Sequence, residues 1–178
     1  MFVYFLITSA WGQTCDTATS LIGDVNNHVV ADAAITTSST FNTVTPPRFS
    51  RLDTIGAWSA AQSDYSQWIE VDLGQVKVIE SVTSQGRANV NQWVTKYKVL
   101  YSIDGVSFEP AVDSNGGVIE FSGNVDQSTP VTNTFPEPIV ARYVLLSPTD
   151  WNSWISLRWD LDGCDYSGEY RIYLLYFE

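Results

Sequence analysis

Residues 67–93 read QWIEVDLGQVKVIESVTSQGRANVNQW and contain the pattern that decides the fold. From Trp68 to Leu73, apolar residues alternate with polar ones after an initial apolar pair, as in a strand with one face on a core. Gly74 is expected to end this strand, because glycine tolerates backbone angles that other residues avoid. A tight turn and a second strand over 76–82 are predicted next. The polar, glycine-bearing segment 84–92 is predicted to be a loop.

Short strand-like runs separated by turn signals continue along the chain. The predicted strands are 93–101, 139–146 and 155–162. Asp104-Gly105 is a hairpin signal between two such runs. Pro136 and Pro138 are expected to break the chain, because proline cannot donate to a strand ladder, and 150–154 is predicted to be a loop. Strands of this length and spacing, without a helical period, predict an all-β sandwich or barrel.

Composition limits the classes of function. The chain has 178 residues, 44% of them hydrophobic and 13% aromatic, which fits one packed domain. Its formal net charge of -11 excludes a typical nucleic-acid binder, which needs a surplus of Lys and Arg. The same charge weakens electrostatic attraction to anionic membranes, although apolar loop tips remain able to insert.

The two ends of the chain differ from the middle. Residues 1–12 are predicted to be a signal peptide, because the run from Met1 to Ala10 is apolar and small residues fit a cleavage before Gln13. No Lys or Arg precedes this run. The protein is therefore expected to be secreted, with a domain over 13–164. The tail over 165–178 has no assigned role, and no other segment approaches the ~20 apolar residues of a membrane-spanning helix.

Cysteine and histidine usage argues against catalysis. Cys15 and Cys164 are most simply one disulfide in a secreted protein, closing almost the whole domain into a loop. Together with the single His28 they cannot form a Cys/His zinc site. The sequence brings together no nucleophile with a base and no paired acids, which predicts a protein that is not an enzyme. No cofactor is predicted.

A series of short segments occurs in a recognisable order along the chain. They are Cys15, ITTSS at 35–39, RL at 51–52, AW at 57–58, QWIEVDLG at 67–74, QGR at 85–87, YSIDG at 101–105, FSGNVD at 121–126, PIVARY at 138–143, PTDWNSWISLR at 148–158 and LDGC at 161–164. In this order they resemble the discoidin domain, also called the coagulation factor V/VIII type C domain. The resemblance covers nearly all of 13–164.

The resemblance implies a fold and a set of ligand-binding loops. The fold is an eight-stranded, jelly-roll-like β-sandwich of the galactose-binding-domain type, with its ends joined by Cys15–Cys164. Ligands in the family include anionic phospholipids, galactose-type sugars, collagen, peptide C-termini and cell-surface proteins, so the fold does not identify the ligand. Some relatives hold calcium through backbone carbonyls, which leaves little trace in a sequence. The matching loops are Thr40 to Arg48, Trp58 to Asp64 and Arg87 to Trp93.

The candidate ligand-contacting residues lie on these loops. They are Phe41, Val44, Thr45, Trp58, Ser59, Asn89, Val90, Asn91 and Trp93. Asn89 and Asn91 beside Trp93 favour a sugar, because amides bind hydroxyls and an aromatic face stacks on the ring. The alternative is that Trp93 is the first core residue of the next strand. Phe41 and Val44 fit either an inserting apolar tip or ordinary packing, and Val90 is the single large apolar residue of its loop.

The family pattern also assigns structural residues. Arg51, Arg142 and Arg158 are expected to be partners of buried carboxylates such as Asp72. We therefore predict a secreted, non-catalytic recognition or adhesion module that binds a cell-surface or matrix glycan or glycoprotein. The alternatives are a peripheral binder of phospholipid membranes and a structural component of the extracellular matrix. No nucleic-acid partner is expected.

Overall fold

The computed structural model describes residues 5–7, 13–168 and 172–174. Its strands are β1 (Phe5–Ile7), β2 (Thr19–Ser20), β3 (Ile35–Thr37), β4 (Trp58–Ser59), β5 (Ile69–Gln85), β6 (Trp93–Ser102), β7 (Glu109–Pro110), β8 (Phe121–Ser122), β9 (Val131–Asn152), β10 (Ser156–Asp165) and β11 (Ile172–Leu174). Two 3₁₀ turns, Asp32–Ala34 and Pro47–Ser50, are the helical elements of this part of the chain. None of its helices has the length and apolar character needed to cross a membrane.

The strands pair antiparallel and form the predicted all-β sandwich. The hydrogen-bonded order is β2-β10-β5-β9-β6-β7, with β3 paired to β5, β4 to β10 and β8 to β6. Nine strands of the described chain therefore join in place of the eight expected. The sheet encloses one core, whose largest fully buried side chains include Trp58, Trp159, Tyr97 and Leu146. β5 and β10 supply much of this core. Residues 69–73 of β5 alternate between buried and half-buried, as the period-two pattern predicted, whereas β10 is buried on both faces from Ser156 to Leu161.

The prediction of two strands around Gly74 is wrong, because β5 is continuous. Its register against β9 shifts between Asp72 and Lys77, which pair with Tyr143 and Ala141. Several residues of β5 therefore oppose one residue of β9, as in a β-bulge. Gly74 lies in this bulge at a φ of 76°, where glycine avoids the steric cost of a Cβ.

The predicted break at Pro136 and Pro138 is also wrong. Both prolines lie within β9, at a second register shift where Ile79 pairs with Ile139 and Ser81 pairs with Thr134. The prolines fall between the paired positions, so their missing N–H groups interrupt no ladder bond. The predicted loop 150–154 is shorter as well, because β9 extends to Asn152, which pairs with Trp93.

The predicted disulfide is confirmed. Cys15 and Cys164 are bonded, with their Cα atoms 5.7 Å apart. The backbone N–H of Cys15 also donates to Glu80 Oε1 at 2.7 Å, which anchors the start of the domain to β5. β1, inside the predicted signal peptide, pairs antiparallel with β11 of the tail. Residues 8–12, before the predicted cleavage point, lie outside the described residues.

Arg142 and Asp72 form the expected ion pair. Arg142 Nε and Nη2 donate to the two carboxylate oxygens at 2.7 and 2.8 Å, and this bidentate contact lowers the pKa of Asp72. The pair is half-exposed, which corrects the expectation of a buried carboxylate. It lies at the bulge of β5, near Tyr143, which pairs with Ser102 at the end of β6.

Candidate ligand-binding groove

Loops from distant parts of the chain meet at the opposite end of the sandwich, where β6 begins at Trp93. We call this region the loop end. Backbone hydrogen bonds join the loops: Phe41 N–H donates to Ser59 O at 2.9 Å, and Ala60 N–H donates to Ile155 O at 3.2 Å. Trp154 Nε1 donates to Ala60 O at 2.8 Å. The loops before β4, after β4 and after β9 are therefore held side by side.

An open groove of about 410 Å³ lies at the loop end. Its lining residues are Val25, Val44, Phe49, Thr54, Ile55, Gly56 and Asn89. Four of these side chains are large and apolar, so the groove presents a mainly apolar surface. Of the predicted ligand residues, the structure places Val44 and Asn89 in the lining.

Exposed apolar side chains line this groove or lie on the loops that form it. We call Val25, Phe41, Val44, Ile55 and Val90 the apolar tips. Ile55 is 79% exposed, Val44 63%, Phe41 54%, Val25 44% and Val90 37%. They come from four separate stretches of the sequence, and three of them, Val25, Val44 and Ile55, meet in the groove lining. Exposed apolar surface gathered in this way is typical of an interaction site.

Arg87 orients the amides of the third predicted loop. Its Nε donates to Asn89 Oδ1 at 2.9 Å and its Nη1 donates to Gln92 Oε1 at 3.1 Å. Ser156 Oγ donates to the same Gln92 oxygen at 3.1 Å. Both amide oxygens are therefore occupied inside the protein. The Asn89 amide nitrogen has no partner among the described residues, so it remains a donor at the edge of the groove.

Arg158 lies buried under the loop end and binds three loops. It donates to the backbone carbonyls of Gly86, Thr54 and Gln127 at 2.6, 2.7 and 2.8 Å. Its partners are carbonyl oxygens, which corrects the expectation of a carboxylate. Burial lowers the pKa of the Arg158 guanidinium. Three charge-assisted hydrogen bonds to separate loops fix their relative positions.

Gln85, the cross-strand neighbour of Arg158, binds two of the same loops. Its Oε1 accepts from Asp53 N–H, and its Nε2 donates to Asp53 Oδ1 and to Ser128 O, all at 3.0 Å. Asp53 has a φ of 62°, a left-handed conformation that costs energy for a residue with a Cβ. The Gln85 contacts hold this conformation directly before Thr54 and Ile55.

Asp160 and Arg51 hold the loop that carries Val25. The buried Asp160 carboxylate accepts from Ile22 N–H at 2.9 Å and from Ser20 Oγ at 2.5 Å, and burial raises its pKa. Arg51 donates to Ile22 O, to Val30 O at 2.7 Å and to the Asp32 carboxylate at 3.1 Å. Arg51 therefore has one carboxylate partner, but this carboxylate is exposed rather than buried.

Three predicted ligand residues are buried and have no surface to offer a ligand. Trp58 is a core residue whose Nε1 donates to Ser39 O at 2.9 Å. Ser59 Oγ shares a 2.7 Å hydrogen bond with Ser156 Oγ, and Thr45 Oγ1 donates to Asn42 Oδ1 at 3.3 Å. All three therefore support the loop end from within.

Trp93 and Asn91 occupy different environments. Trp93 is half-buried and begins β6, and a Cβ placed on Gly86 would lie 2.7 Å from the Trp93 Cβ. Trp93 therefore packs closely on Gly86, but the first residue of β6 that belongs to the hydrophobic core is Val94. Asn91 is exposed, and its backbone carbonyl accepts from Asn152 Nδ2 at 3.1 Å.

Sequence reasoning missed most of the groove lining. Val25, Phe49, Thr54, Ile55 and Gly56 were not among the predicted residues. The available signal was a large apolar residue in a stretch without strand periodicity, which Val25, Phe49 and Ile55 share. In the described part of the chain, no three His, Cys, Asp or Glu side chains are grouped as a metal site.

The F5/8 type C domain model matches residues 34–161, so the chain belongs to the F5/8 type C domain family. Rat lactadherin is 34% identical over 151 residues, which are 79% of this chain and 35% of that protein. Mouse retinoschisin is 38% identical over 109 residues, 61% of this chain and 49% of that protein. The chain thus spans half or less of the length of these relatives.

Solved structures show the same fold. Discoidin II of Dictyostelium discoideum superposes with a TM-score of 0.68 at 29% identity, covering 75% of this chain and 56% of that one. The family 32 CBM of Clostridium perfringens NanJ, solved in complex with galactose, has a TM-score of 0.58 at 16% identity. The second match covers 83% of this chain and 98% of that one, and it shows likeness of fold.

Proposed function

We propose that this domain is a non-catalytic extracellular recognition module that binds the surface of a lipid bilayer through the apolar tips. One observation carries the proposal: three exposed apolar side chains, Val25, Val44 and Ile55, line one groove at the loop end, and Phe41 and Val90 are exposed on two of the loops that form it. Moving such side chains from water into the outer part of a bilayer is favourable in proportion to the apolar area removed from water. The geometry thus favours the second of the two ligand classes expected from the sequence.

Apolar insertion, rather than charge attraction, would drive this binding. The net charge of -11 opposes approach to anionic lipids as a whole. Two cations nevertheless lie at the loop end. Arg87 orients Asn89 there, and Arg48 is exposed with its guanidinium 4.8 Å from the Phe49 ring centroid. We expect both arginines to be compatible with nearby lipid phosphates. The apolar tips should supply most of the affinity for the bilayer.

The proposed compartment rests on the disulfide. Cys15–Cys164 is closed, and the described residues contain no free cysteine. Disulfides of this structural kind persist in secreted proteins and are rare in the reducing cytosol. An extracellular location also agrees with the signal peptide predicted for residues 1–12, which stays a prediction.

The test is co-sedimentation with phosphatidylcholine vesicles, with and without phosphatidylserine. The wild-type chain should bind both kinds, and Val44→Ser should bind more weakly. Val106→Ser is the matched control, because it makes the same substitution at another exposed valine. Val106 is 83% exposed and lies beyond the other end of β6, away from the groove. Wild-type protein that stays in the supernatant, or equal losses in the two variants, would contradict the proposal.

Glycan binding is a second candidate, supported by Asn89. Arg87 holds the Asn89 amide oxygen, which leaves the amide nitrogen directed to an acceptor such as a sugar hydroxyl at the groove edge. A glycan array probed with and without calcium tests this function and any role of calcium held by backbone carbonyls. Signals that disappear in Asn89→Ala would support it. An array without signals would leave the membrane proposal as the single candidate.

A further inference from the structure

The loop end is held together by two buried side chains that never reach the groove surface. Arg158 and Gln85 are cross-strand partners on β10 and β5, and both are almost fully buried. We call them the Arg158–Gln85 pair. Their polar atoms bind the backbone of the loops around 53–54, 86 and 127–128, with one additional bond to Asp53 Oδ1.

The same loops carry four of the residues that line the groove. Thr54, Ile55 and Gly56 follow Asp53 directly, and Asn89 follows Gly86 by three residues. The third loop is coupled to the second, because Gln127 Nε2 donates to Ala88 O at 3.2 Å. The Arg158–Gln85 pair therefore joins the loop that carries Thr54, Ile55 and Gly56 to the loop that carries Asn89.

Backbone strain gives an independent sign of this role. Asp53 keeps a left-handed conformation although it is not glycine. Strain of this kind persists where surrounding contacts over-determine the conformation, and it is concentrated at functional sites. Both contacts that hold Asp53, to its N–H and to its carboxylate, come from Gln85.

From these contacts we infer that the Arg158–Gln85 pair consists of positioning residues, which preorganise the groove for its ligand. The inference rests on the proposed function for its binding readout, but its structural part is independent of any ligand. Preorganised loops lose less conformational freedom on binding, so the pair raises affinity without touching the ligand. Lysine at position 158 would keep the charge but replace the planar fork with a single ammonium, which cannot reach three separate carbonyls.

The experiment compares Arg158→Lys, Gln85→Ala and the control Arg142→Lys. Arg142 contacts Asp72 at the other end of the sandwich, so its substitution perturbs an arginine contact far from the groove. Amide hydrogen exchange is followed at 53–56, 86–92 and 124–129, and binding to phosphatidylcholine vesicles is measured well below the melting temperature. Gln85→Ala keeps the inference testable if Arg158→Lys does not fold.

We expect exchange in the three segments to become about tenfold faster in the first two variants. Vesicle affinity should fall about tenfold in both and stay within about twofold of wild type in the control. Unchanged exchange would overturn the role of the pair in holding the loops. Faster exchange with wild-type affinity would overturn its role in binding. A wild-type chain that bound no vesicles would refute the membrane proposal, and the exchange measurements would still decide whether the pair holds the loops.

Discussion

Removing the Cys15–Cys164 disulfide should strongly destabilise this domain. The bond joins residues separated by 149 positions, so it restricts nearly the whole unfolded domain. In the chain-entropy model a closed loop of this length is worth about 5 kcal/mol at room temperature. That is comparable with the whole free energy of unfolding of a typical domain, about 5–15 kcal/mol. The double variant Cys15→Ala/Cys164→Ala should therefore be marginally stable or unfolded.

The assay is urea unfolding followed by tryptophan fluorescence, for the oxidised wild type and the double variant. Wild-type protein reduced with dithiothreitol is the control, and it should unfold at the same urea concentration as the double variant. The native contacts next to the disulfide would remain, including the Cys15 N–H bond to Glu80. A free energy of unfolding within about 1 kcal/mol of the wild type, at an unchanged m-value, would refute the reasoning.

Three further changes have defined outcomes. Ile55→Ser should leave the melting temperature unchanged, because the side chain is 79% exposed, and should lower vesicle partitioning by roughly tenfold as about 1–2 kcal/mol of apolar transfer is lost. Wild-type partitioning would contradict this. Gly86→Ala should lower the free energy of unfolding by about 1–3 kcal/mol, since its Cβ would lie 2.6 Å from Asp126 O and 2.7 Å from Trp93 Cβ. Thermal unfolding tests this, and an unchanged melting temperature would show that the loop relaxes freely. The pKa of Asp72 is lowered by Arg142, so its ion pair stabilises the fold above the unfolded-state pKa and is lost as pH falls through the folded-state pKa. Urea unfolding of wild type and Asp72→Asn should therefore differ at pH 7 and converge in acid; a constant difference would contradict the assignment.

The QGR segment shows how far local sequence could be interpreted. The polar, glycine-bearing stretch 84–92 was predicted to be a loop, but β5 continues to Gln85 and the loop begins at Gly86. The contacts of Gln85 and Gly86 involve residues distant in sequence, whereas Arg87 binds a residue two positions away. Gln85 binds Asp53 and Ser128, Gly86 packs against Trp93 and Asp126, and Arg87 orients Asn89. No pattern within the segment contains this information.

The sequence by itself determined the all-β class and the closing disulfide, and the family resemblance implied the loops that would gather at one end of the sandwich. Period-two alternation reports which face of a strand is buried, and two cysteines allow one intramolecular pairing. Only the tertiary structure decided that Trp58 and Ser59 are buried, that β5 and β9 continue through Gly74 and Pro136, and that Ile55 joins the groove. The physical reason is that loops have no periodicity. Their positions are set by long-range contacts such as those of Arg158, which joins residues 31 to 104 positions away.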